Sequence, residues 1–144
     1  MVENMPAFHL LVAEDDEHDF FFLKESLNQN NITNLKLSRV SDGIELLDFL
    51  RNSKNSKPSL ILLDLNMPKK DGREALKELK EDPELAPIPV IVFTTSVNQT
   101  DVNLVYDLGA SAYVVKPTGF GNLTAFMKSF ADFWFNTATL PVLS

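Results

Sequence analysis

Carboxylate side chains follow two apolar runs that have the length and composition of buried strands. Leu60–Leu63 is an unbroken aliphatic run that stops at Asp64. The apolar run Phe8–Ala13 stops in the same way, at an acidic cluster that begins with Glu14 and Asp15. Because parallel strands present their carboxyl ends at one edge of a sheet, we expect these carboxylates to lie close together. Close carboxylates repel one another, and a hard divalent cation that prefers oxygen ligands, such as Mg²⁺, relieves that repulsion.

Two further polar residues follow strand-like runs and are predicted at the same edge. Thr94 comes after the apolar run 88–93, and Lys116 comes after the run 111–115. Lysine supplies a point charge that can hold a phosphoryl oxygen, and a threonine hydroxyl can donate a hydrogen bond to the same group. Phosphoryl transfer needs mainly positioning and charge neutralisation, with a carboxylate as an acceptable nucleophile. The set therefore predicts an aspartyl-phosphate site at Asp64, the alternative being that Asp64 only forms a structural ion pair.

The elements that must position these residues alternate between strands and helices. Apolar runs predict five strands, at 8–13, 35–40, 60–64, 88–93 and 111–115. Apolar residues at helical spacing predict five helices, at 18–30, 44–52, 71–81, 98–108 and 119–135. Such alternation indicates an α/β fold, a doubly wound five-stranded parallel sheet with helices on both faces.

Length and composition limit the class of protein. The chain has 144 residues, enough for one domain with its own core. A net charge of −7 argues against a nucleic-acid partner, which would require a basic face. The sequence has no cysteine, which excludes disulfides and thiolate metal sites. No segment has the form of a signal peptide or the length of a membrane span, so we expect a cytoplasmic protein with no membrane partner.

The chain resembles the receiver domain of the two-component response regulator family over nearly its whole length. The resemblance is carried by Glu14-Asp15, Asp64-Leu65-Asn66-Met67-Pro68 with Gly72, Thr94, and the run from Gly109 to Pro117. It implies a flavodoxin-like receiver fold with strand order 2-1-3-4-5, a receiver domain at 6–136, a tail at 137–144 and no effector domain. Within the family, the loop 65–73 and the Phe- and Trp-rich end look like the stand-alone regulators of cyanobacterial-type phytochrome histidine kinases.

The resemblance also implies roles for the acidic residues and for the loop that follows Asp64. It implies that Asp64 accepts a phosphoryl group from a phosphohistidine on a sensor histidine kinase. It implies that Mg²⁺ is bound by Asp15, Asp64 and the backbone carbonyl of Asn66, with Glu14 assisting through water.

Residues at the ends of the fourth and fifth strands have implied roles as well. Thr94 and Lys116 are expected to grip the phosphoryl group, and the Lys116–Pro117 peptide is expected to be cis. Tyr113 occupies the aromatic switch position of the family, although a packed strand aromatic is the alternative. Phosphorylation is expected to move Thr94 and Tyr113 and so to change the face formed by the fourth helix, fifth strand and fifth helix.

Two other functions share parts of this pattern. A phosphohydrolase with an aspartyl nucleophile usually has a second acid two residues later, where this sequence has Asn66. An unphosphorylated receiver-like interaction module usually lacks a member of the acidic pair, the acceptor or the lysine, and all of these are present here. We therefore expect a signalling phosphoprotein and not an enzyme.

The last two predicted helices carry more apolar side chains than a core requires. Leu104 and Tyr106 on the fourth helix, and Phe126 and Phe133 on the fifth, lie outside the core-facing positions. Exposed apolar surface of this kind is typical of an interface, so we expect a homodimer through these residues. The alternative is that the tail segment 139–143 folds back and covers them.

Overall fold

The computed structural model describes residues 8–143, which contain one five-stranded parallel sheet. The strands are β1 (Phe8–Ala13), β2 (Leu35–Val40), β3 (Leu60–Leu63), β4 (Val90–Thr94) and β5 (Ala112–Val115). Their spatial order is β2-β1-β3-β4-β5, and every neighbouring pair is parallel. Every residue of β3 and β4 is buried, as strands covered on both faces must be. The predicted α/β fold and strand order are confirmed.

Five α-helices accompany the strands, and side chains cap the first four. They are α1 (Glu17–Gln29), α2 (Gly43–Arg51), α3 (Gly72–Glu81), α4 (Gln99–Leu108) and α5 (Phe120–Ala131). Each of the helices α1 to α4 begins after a residue whose side chain accepts hydrogen bonds from backbone N–H groups of the first turn. These capping residues are Asp16, Asp42, Asp71 and Asn98. Such caps satisfy backbone donors that have no partner within the helix. None of the helices within residues 8–143 combines the length and apolar character needed to cross a membrane.

The core consists of two apolar clusters, one on each face of the sheet. On one face, α1 and α5 pack over alternate strand residues such as Leu10, Leu62 and Phe93. On the other face, α2, α3 and α4 pack over the intervening residues, such as Leu11 and Leu63. The sheet is therefore the middle of three layers, and the loops that follow its strands carry the polar residues.

The C-terminal helix differs from its prediction. A single helix over 119–135 is expected from the sequence, but α5 ends at Ala131 and a π-helical segment, Asp132–Thr137, follows it. Phe126, expected on an exposed face, is half-buried: it stacks on Phe93 with the ring centroids 5.3 Å apart and packs against the core. The prediction for Phe126 is wrong because α5 packs against both the sheet and α1, which buries a wider arc of the helix than one stripe.

The other three residues of the predicted dimer face are exposed. Leu104, Tyr106 and Phe133 have 38%, 49% and 51% of their surface accessible. They remain exposed although Leu143, near the end of the chain, packs against the cluster on the α2–α4 face of the sheet.

Candidate functional site

Asp64 lies immediately after β3, between the ends of β1 and β4. Its backbone N–H donates to the carbonyl of Ala13, the last residue of β1, over 3.0 Å. Only 6% of the residue is exposed. One carboxylate oxygen accepts a hydrogen bond from the backbone N–H of Asn66 at 3.2 Å, and the other lies 3.2 Å from the ammonium nitrogen of Lys116. The sheet thus holds this carboxylate at a fixed place beside a cation.

Glu14, Asp15 and Asp64 form a cluster of carboxylates. One oxygen from each residue lies within 4.8 Å of the others, and Asp15 is exposed to solvent. Arg39, on β2, donates to the backbone carbonyls of Glu14 and Asp15 at 2.9 and 3.0 Å, which fixes the loop that carries them. An oxygen-only set that is open to water on one side fits a hard divalent cation that keeps part of its hydration shell.

Lys116 contacts three carboxylates at once. Its ammonium nitrogen donates to Glu14 at 2.5 Å, Asp19 at 3.0 Å and Asp64 at 3.2 Å. Burial alone would lower the pKa of Lys116, but hydrogen bonds to Glu14 and Asp19 together hold it above its ordinary value. Burial raises the pKa of Glu14 to about 7, although its hydrogen bond to Lys116 opposes that change. Lys116 is therefore a fixed positive charge at the centre of an acidic site.

Thr94 is the last residue of β4 and its side chain is completely buried. Its hydroxyl has no hydrogen-bond partner among the described residues, which is unusual because most buried hydroxyls are paired. The backbone carbonyl of Thr94 accepts a hydrogen bond from the N–H of Lys116 over 2.8 Å, so β4 and β5 hold the two residues together. A buried donor without a partner, at the same edge of the sheet as a carboxylate and a cation, suits an oxygen-rich ligand.

Tyr113, on β5, is half-buried at the side of the site that faces α4. Its hydroxyl donates to the backbone carbonyl of Ser96 over 2.8 Å. Its backbone N–H donates to the hydroxyl of Tyr106, on α4, over 3.2 Å. The ring thus connects the loop after β4 with the edge strand of the sheet.

Comparison with known proteins identifies this geometry. The family model of the response regulator receiver domain matches residues 10–128. The chain belongs to the response regulator receiver family. Response regulator Rcp1 of Synechocystis sp. is 40% identical over 143 residues, which cover 96% of this chain and 97% of that protein.

Solved structures of receivers give the same result. The phosphorylated cyanobacterial phytochrome response regulator RcpA is 40% identical with a TM-score of 0.87, covering 94% of this chain and 99% of that one. The Mn²⁺-bound form of Rcp1 is 38% identical with a TM-score of 0.86, at coverages of 94% and 99%. This receiver is therefore similar to phytochrome response regulators in both sequence and structure.

The structure brings most of the predicted site residues of this receiver together, with one correction. Glu14, Asp15, Asp64 and Lys116 meet at the carboxyl edge of the sheet. The Lys116–Pro117 peptide is trans, like all peptide bonds within residues 8–143, so the predicted cis bond is wrong. An X–Pro bond favours trans by only about 0.5–1 kcal/mol, so the sequence alone does not decide between the isomers.

Two residues of the receiver site were not singled out from the sequence. Arg39 holds the acidic loop by its carbonyls, and Asp19 shares Lys116 with Glu14 and Asp64. Asp19 looked like an ordinary acidic residue in the first turn of a helix, where such residues suit the helix dipole. Only its distance from Lys116 gives it a place in the site.

Proposed function

We propose that this receiver is the phosphoacceptor of a two-component system and that Asp64 takes a phosphoryl group from a phosphohistidine on a sensor histidine kinase. One observation carries the proposal: the Lys116 ammonium and the unpaired, buried hydroxyl of Thr94 share one sheet edge with the Asp64 carboxylate. A nucleophilic carboxylate, a cation and an unused donor are the parts needed to receive and hold a phosphoryl group.

The proposed transfer uses these residues in fixed roles. An Asp64 oxygen bonds to phosphorus while the bond from phosphorus to the histidine nitrogen breaks, and that nitrogen keeps the electron pair. Lys116 and Thr94 donate to the phosphoryl oxygens. Asp15, Asp64 and the Asn66 carbonyl would hold Mg²⁺, with Glu14 assisting; the ion, when bound, neutralises charge on the transferred group. Because the protein keeps the phosphoryl group as a mark, we propose a signalling role and not an enzymatic one.

The proposed kinase is a phytochrome. The proposal is supported by the similarity of this chain to RcpA and Rcp1. Exposed aromatic side chains lie beside the phosphoacceptor edge, where a kinase would approach. Phe22 on α1 and Phe120 at the start of α5 line a cavity together with Glu14 and Lys116, and Phe21 contacts Phe22. Their apolar surface is suited to a protein partner.

The proposed output passes through protein contacts. Phosphorylation biases the positions of Thr94 and Tyr113, and with them the face formed by α4, β5 and α5. We also propose a homodimer across the two elements that flank β5, through Leu104, Tyr106 and Phe133. The exposure of these three apolar side chains supports that surface.

The decisive experiment is intact mass spectrometry after incubation with acetyl phosphate, with and without Mg²⁺. We expect one phosphoryl adduct on the unmodified protein in Mg²⁺ and none on the Asp64→Asn variant. Asp107→Asn, which removes an exposed carboxylate on α4, is the matched control and should still form the adduct.

Two results would contradict the proposal. If neither acetyl phosphate nor a phytochrome kinase phosphorylates a folded protein, the chain is an interaction module without phosphorylation. If the protein instead turns over p-nitrophenyl phosphate repeatedly and Asp64→Asn abolishes that turnover, it is a phosphohydrolase.

A further inference from the structure

The first turn of α3 is packed against the backbone of the phosphoacceptor. The N–H of Gly72 donates to the carbonyl of Leu65 over 2.9 Å. A Cβ atom on Gly72 would lie 2.3 Å from the carbonyl oxygen of Asp64, so the two backbones are in direct contact. A displacement of the Asp64 loop therefore displaces the start of α3.

The next residue, Arg73, connects α3 with α4 through a paired hydrogen bond. Its Nε and Nη2 atoms each donate to a different carboxylate oxygen of Asp101, both at 2.8 Å. Both side chains are mostly shielded from solvent, with 26% and 15% exposed. The hydrogen bonds from Arg73 lower the pKa of Asp101, which keeps the pair charged. A bidentate guanidinium–carboxylate pair fixes orientation as well as distance.

Asp101 also holds the loop in which the Ser96 carbonyl accepts a hydrogen bond from Tyr113. The hydroxyl of Ser96 donates to Asp101 over 2.8 Å, while the carbonyl of Ser96 accepts the Tyr113 hydroxyl over 2.8 Å. The contacts therefore run without a break from Arg73 through Asp101 and Ser96 to Tyr113. Thr94 takes no part in them, because its hydroxyl has no partner in the described residues.

We propose that Arg73 and Asp101 are positioning residues that couple Asp64 to Tyr113 along a second route, separate from Thr94. The proposal rests on the proposed function, since it specifies how a phosphoryl group on Asp64 reaches the α4–β5 face. The Asp64 loop moves the first turn of α3, Arg73 transmits that movement to Asp101, and Asp101 repositions the Ser96 carbonyl. A simple structural ion pair between α3 and α4 would contribute stability but would leave the Tyr113 ring where it is.

The environment of the Tyr113 ring can be measured directly. The chain has only two tyrosines, so protein labelled with 3-fluorotyrosine gives two fluorine resonances. The Tyr106→Phe variant assigns them. The shift of each resonance between H₂O and D₂O reports how far its ring is exposed to solvent, and the shift on addition of acetyl phosphate and Mg²⁺ reports the response to phosphorylation.

The variants are Asp101→Asn, Arg73→Met and the combination of the two. Methionine at position 73 keeps the apolar stem of the arginine side chain. We expect each single variant to raise the solvent isotope shift of Tyr113 about twofold and to reduce its response to phosphorylation by about half. If the two residues act as one unit, the double variant should show no larger effect than either single one. Asp107→Asn, with the same charge change on the same helix, should match the unmodified protein.

The proposal is overturned if folded Asp101→Asn and Arg73→Met leave the Tyr113 resonance and its response unchanged. If these variants do not fold, Ser96→Ala removes the hydroxyl that donates to Asp101 and also accepts from the backbone N–H of Asn98. It should shift the Tyr113 resonance in the same direction; no shift overturns the proposal. Mass spectrometry of the same samples distinguishes a failure of the proposed function from a failure of the proposed coupling. No adduct on any sample counts against the proposed function, while the solvent isotope shift measured without phosphodonor still decides whether the pair positions Tyr113.

Discussion

Thr94 combines a structural cost with a proposed functional use. A buried hydroxyl without a partner loses its hydration and gains nothing in return, which costs on the order of 1–3 kcal/mol. Valine has nearly the same shape without the hydroxyl. We predict that Thr94→Val raises the free energy of unfolding by about 1 kcal/mol, measured by urea denaturation, while it shortens the lifetime of the aspartyl phosphate.

The adjacent Thr95 provides the control, because its side chain is exposed. Thr95→Val should change neither the stability nor the lifetime appreciably. A loss of stability in Thr94→Val would contradict the prediction and would mean that the hydroxyl is satisfied in solution, for example by water.

His9 makes part of the stability depend on pH. Its side chain is buried and lies between the hydroxyls of Ser38 and Ser56, at 2.8 and 3.2 Å. Burial, and then repulsion by Lys36, lower the pKa of His9 below its ordinary value of 6.5. The unfolded chain therefore binds more protons than the folded one as the pH falls below that value, so the protein loses stability on acidification. We predict that His9→Gln reduces the loss of unfolding free energy between roughly pH 7 and pH 5.5.

Comparison with the parent protein is essential in this measurement. Glu14 has the opposite effect on the pH dependence, because its pKa is raised to about 7. Its contribution to stability is present at low pH and is lost as the pH rises through 7. Only the difference between variant and parent isolates His9. If His9→Gln keeps the parent profile, His9 does not carry this dependence.

At the level of the elements, Gly72 sets the distance between α3 and the phosphoacceptor. An added Cβ would lie 2.3 Å from the Asp64 carbonyl oxygen and 2.8 Å from the Leu65 Cα. Both are backbone atoms and cannot rotate away. We predict that Gly72→Ala lowers the free energy of unfolding by about 1–3 kcal/mol, measured by urea denaturation, and slows phosphorylation by acetyl phosphate.

Gly121 is the matched control for a helical glycine. A Cβ atom there meets nothing within 4 Å. Gly121→Ala should therefore stabilise α5 by about 0.5 kcal/mol, because alanine loses less conformational freedom than glycine when a helix forms. Equal effects of the two substitutions would show that space near Asp64 is not what requires glycine at position 72.

The elements could be predicted from the sequence where the signal is local. The apolar runs predict β1 and β2 with their observed limits, and apolar residues at helical spacing predict the first four helices to within one residue at each end. The end of α5 could not be predicted, because the π-helical segment packs through a distant contact: Phe135 stacks on Phe8 with the centroids 4.8 Å apart.

The same distinction between local sequence signals and distant contacts applies to the residues of the site. Acidic and basic residues at strand ends are visible in the sequence, because sheet topology brings strand ends together. The contact between Asp19 and Lys116, and the pairing of Arg73 with Asp101, depend on where helices pack and have no local signature. Phe126 illustrates the same limit, since its burial depends on Phe93 of a neighbouring strand.

For the whole molecule, the proposed dimer surface flanks the edge strand β5. Leu104 and Tyr106 lie on α4, on one side of this strand, and Phe133 follows α5, on the other. Phe126 cannot be used to test the surface, because its ring contacts Phe93 and Phe130 in the core and a charge there would disrupt folding. Exposed side chains are suitable, since replacing them leaves the core intact.

We predict that Leu104→Asp and Phe133→Asp convert a dimer to a monomer, measured as a halved mass by light scattering. Each substitution places a carboxylate in an apolar contact surface, on a chain whose net charge is already −7. Phe21→Asp is the matched control: Phe21 is 48% exposed, close to the 51% of Phe133, but lies on α1. A monomeric Phe21→Asp beside a dimeric Phe133→Asp would place the interface on the α1 face. It would then overlap the surface proposed for the kinase, and dimerisation and phosphorylation would compete.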